Sequence, residues 1–350
     1  MIDSGKLWWS RLANSVRFIE NTVDALADSR SVILNMPSDI PWPKKMFDVL
    51  EEEYNSRCGK RGIQKDDVSE LKDTPGNYLL QKNFNDAQKR GYWPGQSIEK
   101  YMAGIKKASI NNKIIFITGI KNAAAANSWH NSISEYLSNA DNENHCVFVL
   151  VLQDAAINAH GNYEIINYGD YVSGYDTLML CLTILSSERC TDDARQYIAE
   201  IANEISCGNA EIASILAESG IELACNPDSV TRRAFADAKT GVCDLSDKVN
   251  RAVWKAQVKH VFPKLEDYRR ELIGEYTKEI HARLPITGSD GEKVYEAVDV
   301  EIGQLVYLAN SYTFLPKEKY DRLIKMRNVR NRLAHGDTVE FDRLEELKLI

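Results

Sequence analysis

The sequence predicts a three-layer α/β domain with a mainly parallel sheet, followed by an all-α helical region. Three observations carry this reading. Strand-like and helix-like segments alternate from about residue 30 to 172, the pattern of a parallel sheet covered by helices. Cys146 to Leu152 is apolar at every position, as a strand covered on both faces requires. From Gly174 onward the apolar residues follow helical spacing and no strand is indicated.

Taken in order, Trp8, Leu12, Val16, Ile19, Val23 and Leu26 recur at steps of three and four and predict one amphipathic helix over about 6–29. Ser31 to Met36 is a short β-branched run closed by Pro37, a buried strand. A helix over 43–56 accepts Pro43 in its first turn. Residues 57–95 are polar, with a short strand at Gly62-Ile63-Gln64 and a helix around Tyr78 to Phe84. Ser97 caps a helix reaching Lys107. Lys113 to Ile120 is the next strand, Ala123 to Leu137 a helix, Cys146 to Leu152 the third strong strand, and Tyr163 to Val172 a fourth. Helices are then predicted over 175–186, 191–206, 209–218, 228–238 and 245–260. The last part reads as a long helix through Arg283, a polar turn at Thr287 to Gly291, and two more helices. The domains expected are 1–175, 176–250 and 251–350.

Among the 350 residues, 43 Lys and Arg stand against 51 Asp and Glu, and a net charge of −8 argues against a general affinity for nucleic acid. Local patches remain open. No apolar run approaches the roughly 20 residues a membrane helix needs. The start Met1-Ile2-Asp3-Ser4-Gly5 has neither the charged lead nor the apolar core of a signal peptide. The seven cysteines (Cys58, Cys146, Cys181, Cys190, Cys207, Cys225, Cys243) stand singly, which fits reduced thiols rather than a zinc site. A cytoplasmic location is expected, with no membrane, metal or cofactor.

The turn after the first strand is where a phosphate loop, G-x-x-x-x-G-K-[ST], would lie. Pro37 falls on its first Gly, Trp42 on its second, Pro43 on its Lys and Lys44 on its Ser/Thr. An indole would fill the phosphate pocket, and the prolines remove N–H donors that such a loop needs. The strand Lys113 to Gly119 ends in Thr118-Gly119 where a Mg²⁺-organising acid would stand. Gly5-Lys6 and Gly59-Lys60 follow no apolar strand, and no G-x-G-x-x-G follows any strand. Lys44 and Lys45, at a helix start, retain the means to hold an anion. In the order of its elements over roughly residues 10–240, this part resembles the degenerate branch of the STAND and AAA-type P-loop NTPases. That resemblance implies a P-loop-NTPase-like sheet without nucleotide chemistry.

Near the end of the chain stands Arg330-Asn331-Arg332-Leu333-Ala334-His335. On a helix, Asn331 and His335 share a face, Arg330 lies about 140° around from His335, and Gly336 stops the helix. A polarised His beside an Arg and an amide suits attack of a ribose 2′-OH on its own phosphate, with the Arg stabilising the developing charge. The packing alternative is that Arg330, on the stripe of Tyr320, Leu323, Met326 and Leu333, is tied to Glu301 or Glu279. Lys317, Lys319, Arg322, Lys325, Arg327, Arg330 and Arg332 face only Glu318 and Asp321, which reads as the only dense basic segment in the chain. Arg-x4-His with Asn after the Arg is similar to the signature of the HEPN superfamily, so the C-terminal region is expected to be a HEPN-like bundle. That resemblance implies either a metal-independent endoribonuclease with a dimeric site, or a docking and dimerisation module. His130, His145, His160, His260 and His281 are scattered, and Gln153-Asp154 after the third strong strand is the remaining candidate contact.

The expectation from these resemblances is a regulatory or scaffolding protein of a prokaryotic defence system that acts through a protein partner. The alternatives are an endoribonuclease using Arg330, Asn331 and His335, with RNA on the C-terminal basic helix and a homodimer through the bundle, and a working ATPase.

Overall fold

The computed structural model describes residues 3–140, 145–153, 157, 163–237, 245–288 and 291–350. They form two compact units, Met1–Asp176 and Thr177–Ile350. In the first, α1 (Ser4–Arg11) and α2 (Ala13–Ala27) precede β1 (Ser31–Met36) and α3 (Pro43–Arg57). Then come β2 (Gly62–Asp67), α4 (Pro75–Asn83), α5 (Asp86–Arg90), α6 (Ile98–Ala103), β3 (Lys113–Ile120), α7 (Ala123–Asn139), β4 (Val147–Gln153) and β5 (Tyr163–Asn167).

All four strand pairings are parallel, and the order is β2-β3-β4-β1-β5. Pleating sends alternate side chains to opposite faces. Ile115 and Ile117 of β3 join Phe148 and Leu150 of β4 in a core with Trp129, Ile133 and Tyr136 of α7 and Leu79 and Leu80 of α4. Phe116, between those isoleucines, meets the ring of Phe47 from α3 edge-on at 5.7 Å. Helices thus cover both faces, and each fully buried large side chain contributes on the order of 1.5–3 kcal/mol. The chain leaves β1 toward β2 but leaves β4 toward β5, although β1 and β4 are neighbours. Connections that diverge from adjacent parallel strands open a crevice at their C-terminal ends, the place where sheets of this class bind ligands. Met36 and Gln153, register partners, mark that edge.

The helix expected over 6–29 is broken at Leu12, whose backbone is extended (φ −77°, ψ 125°). The break turns α1, so that Trp8 and its neighbour Trp9 are both buried, which one straight apolar stripe does not achieve. The strand read over 163–172 stops at Asn167, because Tyr168–Asp170 winds into a 3-10 turn that Asn167 braces by bonding Asp170 at 2.8 Å. The helix begun at Ser97 ends early, at Gly104.

The chain enters the second unit within α8 (Gly174–Ile184), followed by α9 (Asp192–Ser206), α10 (Ala210–Glu218), α11 (Ile221–Cys225), α12 (Pro227–Asp237), α13 (Leu245–Glu275) and α14 (Thr277–His281). A two-stranded antiparallel hairpin, β6 (Ile286–Thr287) and β7 (Lys293–Val294), leads to α15 (Ile302–Tyr312), α16 (Lys317–Ala334) and α17 (Phe341–Glu346). Three expectations are corrected here. The long helix stops at Glu275 instead of Arg283, the polar turn is flanked by paired strands, and three helices follow it. The 31-residue α13 runs across residue 250 and through Pro263, and packs on α9, α12 and α16. Among the described residues no helix is long and apolar enough to cross a membrane.

Candidate functional site

The loop after β1 ends at Trp42, which caps α3 in the left-handed conformation (φ 43°, ψ 61°) with Pro43 in the first turn. A side chain rarely adopts this backbone geometry, which glycine takes freely. The indole is turned onto α1, where it lies against Gly5 and meets the Trp8 ring at 6.3 Å. Trp9, fully buried, donates its indole N–H to the carbonyl of Pro41 at 3.0 Å and packs on Phe18 and on Tyr168 beyond β5. Asp3, which caps α1, accepts from Lys45 at 2.7 Å, and this contact holds its carboxyl below the usual range. Lys6 faces Glu52 at 3.6 Å. Pro37 is half-buried and Lys44 exposed. Of the positions aligned with phosphate-loop residues, Trp42 thus packs on α1, and the neighbouring Lys45 is tied to its cap, Asp3.

No acid stands at the end of β3. Thr118 bonds the Asp66 carbonyl at 3.3 Å, and Gly119 takes φ 78° beside Asp67 and Ser69. The nearest carboxylates, on β2, are committed: Asp66 is buried against Lys82 (2.9 Å) and Gln64 (3.0 Å), and Asp67 accepts from the Ser69 N–H at 2.9 Å. Asp154 and His160, like Cys243, lie outside the described residues. Among those described, no three His, Cys, Asp or Glu side chains gather as a metal site needs.

In the second unit, Leu323, Met326, Val329 and Leu333 form the buried stripe of α16, and Tyr320 is only half-buried. Arg330 lies beside that stripe in an open cleft of about 390 Å³ that it lines with Glu266, Arg269 and Glu301. Its guanidinium stands 3.6 Å from Glu301, with side-chain exposures of 39% and 69%, so the pair is solvated and not a buried tie. Of the two carboxylates expected, Glu301 is the partner; Glu279 forms no ion pair with Arg330. Arg330 also donates to Asn331 Oδ1 at 3.5 Å, the outer limit of a hydrogen bond. The other arginine of the cleft is structural: Arg269 binds the carbonyls of Val298 (2.7 Å) and Val300 (2.9 Å) and, with Arg270, holds the Glu266 carboxyl down at about 2.

His335 caps the end of α16. Gly336, at φ 87°, completes a Schellman closure in which Asp337 N–H reaches Arg332 O at 3.0 Å and Gly336 N–H reaches Leu333 O at 3.2 Å. Trp254 of α13 donates to the same Leu333 carbonyl at 2.8 Å. The imidazole is exposed, with no hydrogen bond or ion pair to the other described residues. One chain therefore joins Arg330 to Asn331 but leaves His335 apart.

The basic face of α16 is largely neutralised within the chain. Lys319 pairs with Glu275, Lys325 with Glu346 at 2.9 Å, and Arg332 with Glu340 at 3.7 Å. Arg322 lies over the Tyr268 ring at 5.2 Å and bonds the Leu347 carbonyl. Lys317 and Arg327 have no such carboxylate among the described residues. The reading of α16 as the one dense basic segment is incomplete: residues 82–113 also carry seven Lys or Arg against Asp86 and Glu99, which a windowed charge count reveals.

No protein-family model and no curated protein sequence matches the chain at a significant level.

Proposed function

We propose that the protein is a regulatory or scaffolding component of a prokaryotic defence system, built on a STAND/AAA-like sheet that has lost nucleotide chemistry and acts through a protein partner. The observation that carries this reading is the packing of α1 on the loop after β1: Trp42 rests on Gly5 and Trp8, and Trp9 grips the Pro41 carbonyl. A triphosphate needs backbone N–H groups and a free Lys at this point, and here prolines and an Asp3–Lys45 pair stand instead. The position of the loop at the diverging β1 and β4 connections supports the NTPase-like reading. Thermal unfolding with Mg²⁺ and ATP at rising concentration tests it. The melting temperature is expected to stay constant, and a rise that follows ligand concentration would refute the proposal.

The second reading, a HEPN-type endoribonuclease, is favoured by one observation: Arg330 and Asn331 are adjacent at an open cleft and His335 is solvent-accessible. A second copy would have to bring His335 to an Arg330. Structured RNA incubated with the protein in EDTA distinguishes the two. Cleavage abolished by both Arg330→Ala and His335→Ala establishes the nuclease, whereas intact RNA, or cleavage that survives both changes, removes this site.

A further inference from the structure

Residues 82–113 are a second cationic stretch of an acidic chain, and their charges fall into two groups. Lys82 is paired with Asp66 at 2.9 Å, Lys89 with Asp86 at 3.9 Å, and Lys113 with the Gln64 side chain at 3.0 Å. Arg90, Lys100, Lys106 and Lys107 are exposed and form no ion pair among the described residues. Intramolecular contacts bring the segments that carry them together. Gln88 of α5 donates to the Lys107 carbonyl at 3.3 Å, Tyr101 of α6 donates to the Gln88 carbonyl, and the Tyr92 and Tyr101 rings meet at 5.5 Å.

Beside Tyr92 stands Trp93, 77% exposed, the second most exposed of the large apolar side chains described. It lies over Gly95, where an added Cβ would come within 3.0 Å of the indole, so the loop keeps a small residue beneath the ring. An indole left in water forgoes the favourable burial of a large apolar surface. Next to the lysines lies a shallow depression of about 350 Å³ lined by Asn85, Gln88, Lys106, Lys107, Ser109 and Asn112. Gln88 and Ser109 are bonded within the chain there, and Asn85 and Asn112 add amide groups to the lysine charges.

An exposed π-face, unpaired cations and an amide-lined depression together suit bases and phosphates better than the side chains of an acidic protein, which need only the charge. We propose that this face binds single-stranded nucleic acid, with Trp93 stacking on one base and Arg90, Lys100, Lys106 and Lys107 holding the backbone phosphates. The strand must be single because a base has to leave its stack to lie on the ring. The site falls entirely within the first unit and does not depend on the reading of Arg330 and His335.

The test is fluorescence anisotropy of the full chain with labelled U and dT oligonucleotides of about twelve residues, in EDTA, between about 50 and 200 mM salt. Binding of either strand is expected, weakened about tenfold or more by Trp93→Ala. Joint Lys106→Glu and Lys107→Glu changes should flatten the dependence of log K on log salt by about 1.4, at about 0.7 per phosphate contact. All three side chains are exposed, and unchanged circular dichroism melting would show that the variants fold. Absence of binding at the lowest salt overturns the proposal. So does binding indifferent to both variants, or displacement of the oligonucleotide by polyglutamate with Trp93→Ala without effect, which would mark a surface for an acidic protein.

Discussion

Gly5 and Trp42 are in direct contact: a Cβ on Gly5 would stand 2.8 Å from Trp42 Cγ and 3.1 Å from Lys45 Cγ. Two residues that look unrelated in sequence are therefore one packing unit, with the missing side chain on α1 making room for the ring at the head of α3. Gly5→Val has no space without moving one of them, and is expected to cost about 1–3 kcal/mol of stability. A urea midpoint equal to that of the unaltered protein would show that α1 does not rest on this loop.

Gln257 fastens the C-terminal segment of the second unit. Fully buried in α13, it accepts from the Val339 N–H at 2.8 Å, donates to the Val339 carbonyl at 2.6 Å, and donates to the Tyr197 hydroxyl at 3.0 Å. Gln257→Leu keeps most of the volume but strands two buried backbone groups, each worth about 1–3 kcal/mol when unmade. The expected result is a clear fall in the denaturation midpoint and faster hydrogen exchange at Val339. Unchanged exchange there would rule out the clasp.

Glu266 makes the second unit sensitive to acid. Contact with Arg269, then with Arg270, lowers its carboxyl from the ordinary value of 4.5 to about 2. A depressed acid contributes stability that is complete above its unfolded value and is lost as pH falls through the folded one, so the window runs from about 4.5 down to about 2. The carboxylate is 42% exposed, so solvent screens the effect and keeps it small. Glu266→Gln is expected to lower the urea midpoint at pH 6 and to flatten its decline between pH 5 and pH 2.5. Parallel curves for the two proteins would count against the pairing.

Trp9→Phe isolates one hydrogen bond from the packing around it. The ring that remains fills most of the space between Phe18 and Tyr168, while the Pro41 carbonyl loses its 3.0 Å donor. About 1–3 kcal/mol of destabilisation is expected. Thermal unfolding with ATP then asks a second question of the same variant: if loosening the loop lets nucleotide raise the melting temperature, α1 is a cover over a working site.

The sequence by itself determined where the main elements lie and that a parallel α/β sheet precedes a helical region, because apolar periodicity records which face of each element is buried. Cys146 to Leu152 is the clearest case: a run without polar residues has to be covered on both sides. Tertiary structure alone decided the strand order, the break at Leu12 and the turning of Trp42 onto Gly5, since each depends on which surfaces meet, and periodicity does not say that. The same division applies to charge. The basic run on α16 and the one over 82–113 look equivalent as strings. Only the folded chain pairs most of the first with Glu275, Glu301, Glu340 and Glu346 and leaves four cations of the second exposed and without a carboxylate among the described residues.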